Sequence, residues 1–189
     1  ANGGKGIMMG GIPGVSPTEV VILGAGVAGT AAAKAALGLG AMVKVFDNDV
    51  NNLRKMQQTL DSSLFTSILQ PNVLRNSFRS ADVLIGAMQY INKLHRDRIS
   101  ADLVREVKEG GIIVDLRIAQ GGCFETSIEA SMSKGYSQFE KYGVLHICEM
   151  SISSRVARTA SMALSNTFTS LIMKMAIGGG IVGLAQSDR

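Results

Sequence analysis

Between residues 19 and 150 the chain alternates short apolar runs with stretches in which apolar residues recur every three or four positions. The first pattern marks strands and the second marks helices. Strands are expected at 20–23, 42–46, 64–69, 82–86, 112–116 and 144–147. The helix expected over 27–39 is Ala-rich on every face, which permits close approach to a sheet, and Gly40 stops it. Asp49 caps a second helix that carries Val50, Leu53, Met56 and Leu60 at helical spacing. Pro71 opens a short third one with Val73, Leu74 and Phe78. Another follows Ser100, without a full capping box because Leu103 stands three residues on, and ends at Gly110-Gly111. Residues 117–142 read as irregular. A long helix is expected over 155–176, with Ser154 as its cap and Gly178-Gly179-Gly180 as its stop.

Strands alternating with helices form a doubly wound α/β arrangement. The expected architecture is a six-stranded parallel sheet of Rossmann type with helices on both faces, right-handed crossovers and strand order 3-2-1-4-5-6. Residues 1–18, rich in glycine with two prolines, read as a linker, 19–150 as the sheet domain, 151–177 as a helix leading out of it, and 178–189 as a tail.

The most informative junction is Val20–Thr30, VVILGAGVAGT, where strand residues give way to three glycines and then to alanines. Gly24 allows a sharp turn, Gly26 leaves no side chain in the way of a diphosphate, and Gly29 lets helix and strand pack closely. Helix-start amides then point at the phosphates. The expected second strand ends in Asp47, eighteen residues after Gly29. A carboxylate there accepts both adenosine ribose hydroxyls and repels a 2′-phosphate. No arginine immediately follows it, which favours NAD over NADP, although Arg54 stands one or two helical turns on.

Composition narrows the alternatives. Formal net charge is +4, with scattered Lys and Arg and no dense basic run interleaved with aromatics, so a nucleic-acid binder is not expected. Cys123 and Cys148 lack metal-ligand spacing and read as reduced, partly buried thiols of a cytosolic protein. The apolar pattern near 160–177 is broken by Asn166, Thr167, Thr169, Ser170 and Lys174, so it is not a membrane span. Its Met162, Leu164, Phe168, Leu171, Ile172, Met173 and Met175 read first as core, and second as an interdomain strut that exposes an apolar patch or dimerises.

The blocks GKGIMMGGIPGV, VVILGAGVAGTAAAKAALGLGAMVKVFDND, ADVLIGA, IIVDL, QGGCFET and ARTASMALSN resemble the NAD-binding domain of alanine dehydrogenase. That family also includes the N-terminal component of proton-translocating transhydrogenase. The compact stretch from Asp47 to Leu84, and a Gly-Gly-Cys block without an extra Asn, make the alanine dehydrogenase arm the closer one. The resemblance implies reversible oxidative deamination of L-alanine to pyruvate and ammonia with NAD. It also implies a separate substrate domain and a homo-oligomer. The Gly-rich start and the end at Arg189 fit a middle domain that holds cofactor without turning over alone. On this reading the cofactor contacts are Gly24, Gly26, Val27, Ala28, Gly29, Asp47, Asn48, Ala87, Met88, Gln89, Leu116, Ser151 and Ile152.

The sequence departs from the family pattern on the nicotinamide side. Ala119 stands where the family has a catalytic aspartate, so no catalytic residue is assigned within the chain, and Arg117 stands where the family has a small apolar residue. After IGA the chain reads Met88-Gln89-Tyr90-Ile91-Asn92 instead of an apolar pair and Pro-Gly. After the sixth strand it reads Ser151-Ile152-Ser153 instead of Asn-Met-Pro. These changes keep open a different set of groups, such as Gln120 or Glu149, and also a changed substrate or a non-catalytic NAD-binding module. Of the remaining polar residues, His146 reads as packed and hydrogen-bonded and His95 as a surface residue. Asp115 reads as a loop, cap or ribose ligand, and Glu125 and Thr126 as braces of the Gly-Gly turn. No metal site is expected.

Overall fold

The computed structural model describes residues 5–60, 64–89, 98–127 and 137–177. The chain divides into two compact units, residues 1–150 and 151–189. His95, the glycines at 178–180 and the tail lie outside the described residues.

In the first unit the strands are β1 (Glu19–Leu23), β2 (Met42–Phe46), β3 (Phe65–Ser67), β4 (Val83–Gly86), β5 (Ile112–Asp115), β6 (Gln138–Lys141) and β7 (Val144–Ile147), with β-branched residues concentrated in β1, β2, β4, β5 and β7. They make one sheet of order β3-β2-β1-β4-β5-β7-β6. Pairing is parallel except between β6 and β7. The expected order holds with β7 as sixth strand, but the sheet has seven strands among the described residues, not six. The extra strand is an edge strand from the stretch read as irregular. Tyr142 (φ 56°) and Gly143 (φ 70°) both take left-handed backbone, the two-residue turn that suits the twist of an antiparallel hairpin.

Alternate residues of β1 enter two cores, Val21 and Leu23 on one face, Val20 and Ile22 on the other. The second face is covered by α1 (Val27–Gly38) and α2 (Val50–Leu60) through Ala33, Ala36, Leu53 and Met56. The first face takes α3 (Pro71–Ser80) through Leu74 and Phe78, and α4 (Ala101–Val104) through Val104. Alanines on α1 are small enough to let the helix axis approach the strands, as the sequence required. Gly40 ends that helix in left-handed backbone (φ 81°), and Asp49 Oδ1 caps α2 by accepting the Asn51 amide at 2.9 Å. Ser100 caps α4, but this helix closes after one turn instead of reaching Gly110. The Glu106 and Val107 amides bond three residues back, to Leu103 and Val104, so the chain tightens into turns.

Residues 8–18 are tied to the amino-terminal edge of the sheet. Thr18 bonds Met9 O and Met8 O through its amide and hydroxyl, and the Ile12 and Val15 amides and carbonyls exchange bonds around Pro13-Gly14. A cavity of about 720 Å³ lies at that edge, lined by Ile7, Met8, Ile12, Glu19, Asp82 and Lys108 among others.

The second unit begins with a 3-10 turn, Ile152–Val156, that runs into α5 (Ala157–Ile177). Ser154 is inside that turn and donates its hydroxyl to Ser151 O at 2.6 Å, so it does not cap the long helix. None of the α5 residues is buried, which overturns the expectation that its methionines and leucines form core. No helix among the described residues is long and apolar enough to cross a membrane.

Candidate cofactor site

The parallel strands place their carboxyl ends on one edge, and the chain leaves β1 in one direction and β4 in the other. In open sheets of this kind such a switch point, here the turn after β1, is the place at which a ligand can approach the backbone. Gly24 has φ 107°, and a Cβ there would meet Ala87 C and O at 2.6 Å and Met88 N at 2.8 Å. Its amide donates to Phe46 O at 2.7 Å. Gly29 is as constrained, since a Cβ would fall 1.8 Å from Gly24 O. Both glycines are fixed by the protein's own packing.

Gly26 differs. A Cβ at Gly26 would meet nothing within 4 Å, and its φ of −72° suits any residue. Nothing in the fold demands glycine at this position. It is the N-cap of α1 with no side-chain cap bond, and no acidic residue lies in the first turn. The first amides of a helix lack intrahelical partners and carry the positive end of its dipole. Val27 is 92% exposed above them. An uncapped helix start beneath open space fits a diphosphate, because a side chain at Gly26 would occupy that space.

Asp47, at the end of β2, faces this turn. Its Oδ2 accepts the Ala25 amide at 2.7 Å and its Oδ1 the Asp49 amide at 2.8 Å. The carboxylate is half-exposed and keeps lone pairs toward solvent. Asn48 is exposed beside it, with Oδ1 3.4 Å from the Leu69 amide. Ala87 and Met88 are buried; Met88 packs its side chain into the core, the backbone of both borders Gly24, and the Ala87 Cβ lies 3.6 Å from where a Cβ at Gly29 would stand. Gln89 is exposed, and the Leu116 amide bonds Gly86 O at 2.9 Å. Ser151 and Ile152 are exposed at the start of the second unit.

Asp115 organises the next loop. It is fully buried and accepts the Arg117 amide at 3.0 Å on Oδ1, and the Cys123 and Phe124 amides at 2.8 and 3.4 Å on Oδ2. Burial pushes its carboxyl above the usual range, against the opposing pull of those amides. Of the roles open from sequence, the loop is the one its bonds fill. The loop in turn packs on β4, because a Cβ at Gly86 would meet Cys123 Cβ and the Phe124 ring at 2.7 Å. Both cysteines are buried and free. Burial raises both thiols, Cys148 to about 11 and Cys123 further, so they are inert packing groups.

Thr126 and Glu125 act elsewhere than at the Gly-Gly turn. Thr126 donates its hydroxyl to His146 Nε2 at 2.8 Å, while His146 Nδ1 donates to Val144 O at 3.0 Å, which fixes the neutral tautomer. Glu125 accepts the Ala101 amide at 2.9 Å and so anchors α4. Ala119 and Gln120 are exposed on the loop surface. No group of three or more potential metal ligands occurs among the described residues.

Residues 1–188 match the family model described as alanine dehydrogenase/PNT, C-terminal domain. The chain belongs to that family. It is 35% identical over 188 residues to an alanine dehydrogenase of Halomonas elongata, covering 100% of this chain and 50% of that protein. It is 35% identical over 185 residues to one of Bacillus subtilis, covering 98% and 49%. Among solved structures, an L-alanine dehydrogenase superposes with a TM-score of 0.83 at 36% identity, covering 98% of this chain and 51% of that one. A transhydrogenase from Sinorhizobium meliloti superposes with a TM-score of 0.71 at 22% identity over 89% and 48%, a likeness of fold alone. The chain thus spans about half the length of the curated relatives it matches. The alanine dehydrogenase/PNT C-terminal domain is an NAD-binding domain, and the open helix start at Gly26 suits a dinucleotide.

Proposed function

We propose that this domain holds NAD(H) on the turn after β1 and serves an alanine dehydrogenase in its full-length parent, which interconverts L-alanine with pyruvate and ammonia. The observation that carries the reading is the space over Gly26 at an uncapped helix start, flanked by the Asp47 carboxylate. The amides of Gly26, Val27, Ala28 and Gly29 take the diphosphate, and Asp47 with Asn48 takes the adenosine ribose. Ala87, Met88 and Gln89 with Leu116 border the nicotinamide half. When bound, the cofactor supplies the hydride acceptor. The chain's own residues orient it and screen one side of the cleft.

The exposed loop residues Ala119 and Gln120 carry no ionisable side chain. Proton transfer therefore falls to groups outside loop 116–122, and the isolated domain does not turn over. In the parent, a substrate domain closes the other side, α5 is the strut toward it, and the protein is a cytoplasmic homo-oligomer. Ala119 also favours a second reading, in which the parent keeps NAD but has a changed substrate or no activity.

Calorimetric titration with NADH and NADPH tests the cofactor assignment on this domain. Assay of the full-length parent on L-alanine and a panel of amino acids tests the enzyme. NADH binding without turnover of any amino acid selects the second reading, and absence of NADH binding removes both.

A further inference from the structure

Arg117 stands two residues beyond β5, on the carboxyl edge that also carries the turn after β1. The two places are physically continuous. Gly24 packs on Ala87 and Met88, Gly86 packs on Cys123, and the Arg117 charge bears on the Cys123 thiol. The Arg117 backbone is held rigidly. Its amide donates to Asp115 Oδ1 at 3.0 Å, and its carbonyl accepts the Gln120 and Gly122 amides at 2.8 and 2.9 Å.

The side chain is a different matter. Arg117 Nε is buried and has no hydrogen-bond partner. Ion pairs among the described residues engage Lys5, Lys44, Arg75, Arg79, Arg105 and Lys108, but not Arg117. The adjacent acid, Asp115, spends its oxygens on three amides, and Glu125 is engaged at α4. Loop 116–122, Leu-Arg-Ile-Ala-Gln-Gly-Gly, contains no acid. A second guanidinium comes up to it, since Arg98 Nε donates to Gly121 O at 3.1 Å. A guanidinium is always charged, and a buried N–H without an acceptor is costly, so this arrangement persists where a ligand completes it.

We propose that Arg117 binds a carboxylate of the small-molecule substrate. The planar fork of the guanidinium matches a carboxylate in two parallel bonds. Arg117 follows β5, the neighbour of β4, so on the proposed cofactor reading it falls on the nicotinamide side and not at the α1 start. The inference rests on the dehydrogenase reading for the presence of a substrate there, and it makes Arg117 a specificity-determining residue.

The test uses the full-length parent as wild type, Arg117→Met and Arg117→Lys, with the Lys variant keeping the charge should the Met variant fold poorly. Affinities for pyruvate and 2-oxoglutarate are measured by calorimetry with and without NADH, and NADH affinity is measured separately. Arg117→Met is expected to weaken at least one oxoacid by about tenfold or more, Arg117→Lys less, and NADH by under about twofold. Loss on both oxoacids assigns the shared carboxylate, and loss on 2-oxoglutarate alone assigns the second one. Unchanged oxoacid affinity overturns the proposal, as does an equal loss of NADH affinity, which would put the guanidinium on the cofactor. Failure of the wild type to bind NADH sinks the dehydrogenase reading instead, and the oxoacid titrations without NADH still decide the role of Arg117.

Discussion

The Asp47 carboxylate accepts the Ala25 amide at 2.7 Å, which ties the end of β2 to the glycine turn that ends β1. One oxygen is thus aimed at the turn by the fold itself, and the group stands ready for a sugar hydroxyl without rearrangement. Asp47→Ala removes that bond, the bond to the Asp49 amide, and the charge that opposes a 2′-phosphate. NADH affinity is expected to fall by about tenfold or more, and the preference for NADH over NADPH to shrink toward unity. Paired titrations with both cofactors check this, and an intact preference in the variant would remove Asp47 from the site.

Gly24 and Gly26 are two residues apart and should respond oppositely to alanine. At Gly24 a methyl group meets backbone at 2.6 Å in a left-handed conformation, so Gly24→Ala is expected to destabilise the domain by about 3 kcal/mol or more. At Gly26 the methyl group enters open space at an ordinary φ, so Gly26→Ala should leave the melting temperature nearly unchanged while weakening NADH strongly. Thermal melts and NADH titrations of both variants separate the glycine the fold requires from the glycine a ligand requires. Full NADH affinity in Gly26→Ala would mean the diphosphate lies elsewhere.

Much of this was readable in the chain because its local signals agreed with its tertiary context. β1 is apolar from Val20 to Leu23, and β2 and β7 are apolar apart from Lys44 and His146, with turn residues nearby, which is how a strand covered on both faces writes itself. β6 escaped because Gln138–Lys141 is an edge strand with alternate polar residues, and its turn is Tyr142-Gly143, not the more telling Asn-Gly. The role of Asp115 stayed open for a related reason. A carboxylate at a strand end looks the same in sequence whether it meets solvent, a ligand or three amides, and only folding of the loop to Phe124 decides. α5 misled because helical spacing reports which side chains share a face, not what covers it.

His146 makes stability depend on pH in a direction fixed by its burial. Burial holds its pKa below the ordinary 6.5, with the Val144 carbonyl pulling the other way and the Lys141 charge adding to the depression. Below pH 6.5 the unfolded chain takes up a proton that the folded one refuses, so stability is full above that pH and is lost as pH falls through it toward the folded pKa. Each pKa unit of separation contributes about 1.4 kcal/mol. Asp115 acts in the opposite sense, since its raised carboxyl costs stability as pH rises from 3.8 through the folded value. Urea unfolding at pH 5.5 and 7.5 should show the wild type weaker at the lower pH. His146→Gln should flatten that difference, and an equal difference in the variant would place its origin elsewhere.

Leu164, Phe168 and Leu171 follow one another at spacings of four and three along α5, so they share a face, and each is more than 40% exposed. Helix surfaces with that much apolar area in a row do not stay in water when a partner is at hand. In the absence of a substrate domain the available partner is a second copy of the chain. The domain by itself is therefore expected to self-associate in sedimentation velocity at micromolar concentration. Phe168→Glu combined with Leu171→Glu should shift it toward monomer, because two charges on the shared face must be desolvated for that face to be covered. Both substitutions keep residues that helices tolerate, so circular dichroism should show α5 intact while association is lost. A wild-type domain that sediments as a strict monomer over that range would show that this face needs no cover.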